Sequence, residues 1–366
     1  MRRGLISWSR EEMPVATLDS RIGRLQAAMR AQKMDALLAY TSFAQPSAVN
    51  WICHFTPYWS EALLVLLPEG GPVLLASLTK RVHPWIKEVS HINEVVMAPR
   101  LGVGAVTLLE DRVPAGARVG VVGLDALPWA VAEPLVNAYP DGRLVDASAL
   151  FAAVRQPADA EEVALARKAA SMVRAALEAV PAGVEKVSEV TAAIEASTRL
   201  AGAEEVLQRF APDLGKSAVL QRMEGDAALG ARYAVEVSMA YKGSWVRRTT
   251  SVTKGKADKP ASWKEAEQWF AAAVAGLHES SGGKLSPGVP GAAAAPGKLL
   301  GWTLEACTGL QPLVVVMAQD MTASVALPAG SVAVWSVQLE LADGPWQCAA
   351  PVRVGGGAVP TTLLGD

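Results

Sequence analysis

The chain has 366 residues, 51% of them hydrophobic and 19% charged, with a formal net charge of -2 at pH 7. That length predicts two domains and leaves ample residues for two cores, at roughly 100 to 200 residues per domain. The composition excludes a disordered chain, and the near-neutral balance excludes the basic field that a nucleic-acid partner requires.

In chain order, Leu18, Ile22, Leu25 and Met29 recur at helical spacing and predict a helix from Leu18 to Gln32. Ala36 to Tyr40 reads as a buried strand. The apolar runs Glu61 to Leu67 and Pro72 to Ala76 flank Pro68-Glu-Gly-Gly71, the pattern of a hairpin. Further strands are expected at Glu94 to Met97 and Arg118 to Val122, with helices at Lys80 to Val89 and Pro128 to Ala138. Strands alternating with helices predict a mixed α/β domain over 1–154.

A second domain, 155–366, opens after Pro157, where Asp159 stands at the capping position of a helix with Glu162 three residues on. Helices are expected at Ala160 to Ala179, Val187 to Leu200 and Trp263 to His278. Strands are expected within Ala231 to Val252 and at Leu313 to Met317, Ser331 to Leu341 and Gln347 to Val354. The Gly- and Pro-rich stretches Ser281 to Gly288 and Pro290 to Gly297 read as surface loops. This predicts α+β architecture, helices over an antiparallel sheet.

Cys53, Cys307 and Cys348 are odd in number and far apart, which points away from a disulfide framework and towards a reducing cytoplasm. No run of ~20 apolar residues is present to span a membrane. The Arg pair at the start is not followed by the apolar run of a signal peptide.

The order of elements resembles the creatinase, prolidase and aminopeptidase P family, whose catalytic domain is the pita-bread fold. Arg21-Ile-Gly-Arg-Leu-Gln-Ala-Ala-Met29 followed by Met34-Asp-Ala-Leu-Leu38 is similar to its first helix and strand. Asn50-Trp-Ile-Cys-His-Phe55 stands where the family often shows Tyr-Leu-Thr-Gly-Phe, and Glu161 to Ala170 resembles the helix that opens the catalytic domain. The resemblance implies a creatinase-like N-terminal domain followed by a pita-bread domain.

Peptidases of that family hold two divalent metals with two Asp, one His and two Glu, because paired hard cations need bridging carboxylates to activate water. The segment Tyr233 to Thr250 has the rhythm of the hairpin that carries the two Asp. With Gly243 on the turn, Glu236 takes the first Asp position and Arg247, eleven residues on, the second. The expected His has no counterpart, since none of the four histidines lies beyond His278. Ser336 falls on the first Glu position and Ala349 or Ala350 on the second, while Glu340 and Asp343 are the nearest substitutes. The resemblance therefore implies a degenerate site with neither metal nor cofactor.

Two constellations remain as candidates. In the first domain, His54, Tyr58, Trp59 and Glu61 concentrate around one loop, which in family dimers can approach the neighbouring subunit's site; their substrate-lining reading competes with interface packing. In the second, Glu236 with Arg247 or Arg248 forms either a structural ion pair replacing metal attraction or a clamp for a substrate carboxylate, with Arg353 as a second cation. His83, His91 and His278 read as structural, and Cys307 and Cys348 as small buried hydrophobes. His54 and Glu236 are the residues assigned catalytic roles, and Tyr58, Trp59, Glu61, Arg247, Arg248 and Arg353 substrate-binding ones.

Two functions follow as expectations. One is a non-catalytic or half-catalytic subunit that forms a homodimer or a heterodimer with a related pita-bread chain and helps to form its pocket. The other is a creatinase-like, metal-independent hydrolase of carbon–nitrogen bonds in a small amide, ureido or guanidino compound. An Xaa-Pro metallopeptidase ranks behind both, and enzymatic activity itself stays open.

Overall fold

The computed structural model of the protein describes residues 8–42, 47–57, 60–223, 225–275, 277–280, 284–286, 295–306, 327–356 and 359–365. The chain divides into two compact units between Gln156 and Pro157.

The first unit is built on α1 (Val15–Ala31), whose Leu18, Ile22, Leu25 and Met29 lie on one buried stripe. It is followed by β1 (Ala36–Thr41), α2 (Ser47–Cys53), β2 (Ala62–Leu66) and β3 (Val73–Ala76). Next come α3 (His83–Val89), β4 (Glu94–Met97), α4 (Leu101–Arg112), β5 (Val119–Val122), α5 (Trp129–Ala138), β6 (Leu144–Asp146) and α6 (Ser148–Arg155). Among the described residues the strands form one sheet in the order β4-β3-β2-β1-β5-β6. β1, β2 and β3 run antiparallel, while β5 and β6 extend β1, and β4 extends β3, in parallel.

The apolar runs of β1, β2, β3 and β5 are explained by burial on both sides, since helices cover each face of such a sheet. One core holds Leu37, Leu64, Trp51 and Phe151; the opposite one holds Leu38, Leu63, Leu101 and Leu135. Helix α4 was not foreseen: Leu101-Gly-Val-Gly-Ala-Val contains two glycines, and glycine costs a helix about 1 kcal/mol relative to alanine. Packing of α4 against α5, β2 and β3 overrides that weak local preference.

The second unit opens with α7 (Ala160–Glu178), where the Asp159 side chain accepts a hydrogen bond from the Glu162 backbone N–H at 2.9 Å. Then follow α8 (Val187–Leu200), β7 (Glu205–Ala211), β8 (Arg232–Tyr241), β9 (Ser244–Thr253) and α9 (Ala261–Ala275). The short strands β10 (His278–Ser280) and β11 (Lys284–Ser286) pair with each other. The chain closes with β12 (Lys298–Ala306), β13 (Val332–Leu341), β14 (Gly344–Arg353) and β15 (Thr362–Leu363). The main sheet runs β12-β13-β14-β9-β8-β7, with β15 on β14.

Alternation sorts this sheet's residues by face. Trp335, Val337, Leu339, Trp346, Ala350 and Val352 enter a core with Trp263 and Phe270 of α9. Phe270 stacks on Trp335 with centroids 6.3 Å apart, and Trp302 lies 5.5 Å from the same ring. Helix α7 packs over β8 and β9. The other face carries most of the unit's polar inward residues and is where the candidate site lies.

Two expectations need correction. Helix α9 stops at Ala275, and His278 begins a strand instead of ending the helix. Lys284–Ser286, read as part of a surface loop, is a strand, since a pairing partner three residues long suffices for a ladder. Lys298–Ala306, for which the sequence predicts no element, is the edge strand of the main sheet. The strand expected at Leu313 to Met317 lies outside the described residues.

Candidate functional site

The site begins with a tight hairpin. Lys242 and Gly243 both have positive φ, 50° and 77°, the backbone of a two-residue turn whose twist matches the flanking strands. That turn fixes the pairing of β8 with β9, placing Glu236 opposite Thr249 and Ser238 opposite Arg247. Glu236 and Arg247 therefore share one face as diagonal neighbours.

The same register level can be followed across the whole sheet. Arg209 of β7 faces Glu236, Thr249 faces Ala349 of β14, Ala349 faces Ser336 of β13, and Ser336 faces Thr303 of β12. Above this row lies a cavity of about 340 Å³, whose lining includes Arg209, Glu236, Arg247, Ser336, Gln338 and Gln347.

Four charged side chains link across that face. Arg209 Nη1 lies 3.4 Å from Glu236 Oε1, and Arg247 Nε lies 3.9 Å from Glu236 Oε2. Arg247 Nη1 donates to Glu305 Oε2 at 2.5 Å, and its Nε donates to Ser238 Oγ at 3.2 Å. The side chain of Arg247 is 2% exposed, so it sits between two carboxylates with almost no water. Charge in so dry a place is tolerable only when paired and hydrogen-bonded. Two guanidinium groups and two carboxylates make the set neutral.

The positions that the pita-bread resemblance assigns to metal ligands can now be tested. They hold one carboxylate, Glu236; one permanent cation, Arg247; the Ser336 hydroxyl; and Ala349, the member of the Ala349/Ala350 pair whose register puts it on this face. Two divalent cations need several anionic oxygens that bridge them, and a buried guanidinium beside the one remaining carboxylate opposes them directly. These residues do not fit a dinuclear centre. Glu340 and Asp343 give no rescue, being exposed at the end of β13 and in its turn. Among the described residues no cluster of three or more His, Cys, Asp and Glu is arranged to hold a metal.

The other expected site residues are dispersed. Arg248 points to the opposite face from its neighbour Arg247, where its Nη2 donates to the Leu364 carbonyl at 3.4 Å. Strand alternation explains why only one of the two can reach the cavity. Arg353 is exposed at the last position of β14, opposite Val332 and Thr362, and is no second clamp.

In the first unit, His54 does not lie in an open loop. It ends α2 with φ of 60°, its N–H bonded to the Asn50 carbonyl at 2.8 Å, and it is 3% exposed. The Trp8 ring lies 6.4 Å from its ring and 6.1 Å from that of His91, whose Nε2 is 2.7 Å from Asp19 Oδ1. Glu61 accepts a hydrogen bond from the Tyr40 hydroxyl at 2.5 Å. Burial foremost, and then this bond, raises the Tyr40 phenol above its ordinary value. Tyr58 and Trp59 lie outside the described residues.

Arg209 and Glu305 are the site residues that sequence reasoning missed. Each lies in a segment with a period-two signal: Val206 and Phe210 are buried around Arg209, and Trp302 and Leu304 lead up to Glu305. Strand alternation puts both charges on the face opposite those apolar residues, which is the polar face that carries Glu236 and Arg247.

Residues 21–156 match the model of the Creatinase/Prolidase N-terminal domain. No curated protein matches the chain in sequence. Among solved structures, a prolidase from Pyrococcus horikoshii OT3 is similar in fold at 16% identity, with a TM-score of 0.72 and coverage of 95% of this chain and 98% of that one. A dipeptidase from Mycobacterium ulcerans gives 16% identity and a TM-score of 0.70, with 97% of each chain covered. An Xaa-Pro dipeptidase from Bacillus anthracis gives 16% identity and 0.69, covering 95% of this chain and 98% of that one. The second unit thus has the pita-bread architecture, and among the described residues no helix is long and apolar enough to cross a membrane.

Proposed function

Residues 21–156 belong to the Creatinase/Prolidase N-terminal domain family and the fold is similar to that of a prolidase over 95% of the chain; from that premise we propose a metal-free, non-catalytic or half-catalytic subunit. In this reading it pairs with a second pita-bread chain, its own copy or a relative, and helps to form that partner's pocket. A cytoplasmic location belongs to the same reading.

One observation carries it: Arg247 is bound between Glu305 and Glu236 where the fold family's metallopeptidases place a carboxylate. A guanidinium cannot be deprotonated in a protein, so no change of pH converts it to a ligand. The solved neighbours include an Xaa-Pro dipeptidase and prolidases, and the dinuclear ligand set that the pita-bread resemblance implies is not offered by this face. The metal-independent hydrolase reading is supported by the surviving cavity. It is weakened because, among the described residues, the cavity lining includes no histidine and Glu236 has a cation on either side.

The test is metal analysis of protein purified without chelator, together with assay of an Xaa-Pro dipeptide in added manganese. The expected result is substoichiometric metal and no hydrolysis. Two equivalents of bound metal, or turnover, would overturn the proposal. Co-expression with a neighbouring gene for a related chain should give a heteromer or, failing that, a homodimer; a monomer in both cases removes the pairing role. Turnover of a small ureido or guanidino compound in chelator would favour the alternative.

A further inference from the structure

The four-membered charge chain is uneven: Arg247 and Glu305 meet at 2.5 Å, while Glu236 is held loosely, 3.4 Å from Arg209 and 3.9 Å from Arg247, and of these two loose contacts the one to Arg209 has a solvent-exposed member. Arg247 is buried and held by Glu305 and Ser238. Arg209 is held differently: its Nη2 donates to the Leu220 carbonyl at 2.7 Å, but its Nη1 meets Glu236 at 3.4 Å, and its side chain is 34% exposed. A good guanidinium–carboxylate contact is about 2.7–2.9 Å. The Arg209–Glu236 pair is therefore the one that a ligand can open at small cost.

Charge balance restricts what can open it. An anion would satisfy Arg209 but bring a further negative charge beside Glu236, which is 5% exposed and would keep only its 3.9 Å contact to Arg247. A cation would satisfy Glu236 but stand as a third positive charge between Arg209 and Arg247. Leaving a buried charge unpaired costs more than one new contact returns, so the ligand that fits carries both signs a few ångströms apart.

The remaining walls define the rest of the molecule. Leu220, Leu300 and Trp302 line the cavity, and Val219 and Leu300 stand at its mouth, 66% and 47% exposed. Exposed aliphatic side chains around a charged floor suit a ligand with an apolar arm. At about 340 Å³ the volume is at the lower end of the roughly 300–1,000 Å³ range of small-molecule sites.

We infer that this cavity binds a free apolar α-amino acid, its carboxylate on Arg209, its ammonium on Glu236 and its side chain against Val219, Leu220 and Leu300. The inference rests on the proposed metal-free site and adds a ligand to it. A binding subunit of this kind would respond to amino-acid supply through the occupancy of its own pocket.

The experiment is calorimetric titration of the full-length protein, in buffer containing EDTA, with L-leucine and L-phenylalanine. The comparison ligands are L-leucinamide, which has only the cation, and N-acetyl-L-leucine, which has only the anion. Both amino acids should bind, and each single-charge analogue should bind at least about tenfold more weakly, as expected for loss of a charged hydrogen-bonding partner. Arg209→Gln should weaken leucine by a similar factor, with Arg209→Lys recovering part of it. Leu300→Ser, at an exposed position, should weaken leucine while leaving glycine unchanged, and it guards against a folding defect in the arginine variant.

Equal affinity for leucine and either analogue, or an unaffected Arg209→Gln, or no heat with either amino acid at millimolar concentration, overturns the inference. Because EDTA is present throughout, these outcomes are separate from the metal and hydrolysis assays. Metal binding in its absence would sink the proposed function, while failure to bind leucine sinks only the ligand.

Discussion

Arg247 and Glu305 meet at 2.5 Å although their strands, β9 and β12, are separated by β14 and β13. At about 4.8 Å between neighbouring strands the backbones are roughly 14 Å apart along the sheet. Two long side chains therefore lean towards each other over the row that holds Val334 and Pro351. The ion pair ties the edge strand to the centre of the sheet across its polar face. Arg247→Leu would strip Glu305 and Glu236 of that cation in a nearly dry site, and the cost should be about 3–5 kcal/mol. Thermal or urea unfolding of the second unit reads it. Adding Glu305→Leu should return part of the lost stability, because removing both members of a buried pair costs less than removing one.

The same arrangement predicts a gain of metal binding. R247D removes the cation and places a second carboxylate on the same face as Glu236, diagonal to it across the hairpin. Divalent cations favour such oxygen donors. Manganese or calcium at millimolar concentration should then raise the melting temperature of R247D and leave the wild-type protein unmoved. A wild-type shift of equal size would show that Arg247 does not displace metal.

Much of this fold was legible because its signals are local. Val187–Leu200 and Glu94–Met97 have the bounds that periodicity predicts, and Asp159 caps α7 through the expected Glu162 N–H. The hairpin was legible from Tyr-Lys-Gly-Ser, which fixes the register and so the shared face of Glu236 and Arg247. What could not be read is pairing at a distance. Glu305 reaches Arg247 from 58 residues away, and nothing in either segment names the other. Arg209 joins through a strand whose pattern is blurred by the exposed Leu207 on its polar face. His54 was misplaced for a related reason: its sequence neighbours are loop-like aromatics, but the short helix α2 carries it into the core of the first unit.

Cysteine chemistry gives a prediction that needs no partner or ligand. Burial pushes the Cys53 thiol up to about 12, against a weaker lowering effect of a hydrogen bond with the Phe55 backbone. At pH 8 the reactive thiolate is a negligible fraction, and the side chain is shut off from solvent. In native protein treated with a maleimide at pH 8, mass spectrometry of the peptide containing Cys53 should find it unmodified. Labelling in urea should go to completion. Rapid labelling in native conditions would mean that α2 opens readily.

Alkaline pH should weaken the first unit through Tyr40. Burial, the bond to Glu61 and the charge of Glu61 all raise its phenol above the usual value, outweighing a lowering contribution from Ser42. Below pH ~10, where a phenol in the unfolded chain also keeps its proton, the contribution to stability is present in full. As pH rises past 10 the unfolded form loses its proton first, so stability falls until the folded phenol ionises too. Tyr40→Phe removes both the titrating group and its bond to Glu61, which is 2.5 Å in the native chain. The variant should be less stable by about 1 kcal/mol at pH 7 and should lose stability less steeply between pH 10 and 11. Parallel denaturation curves at the two pH values measure both effects, and an alkaline slope unchanged in Tyr40→Phe would place the titrating group elsewhere.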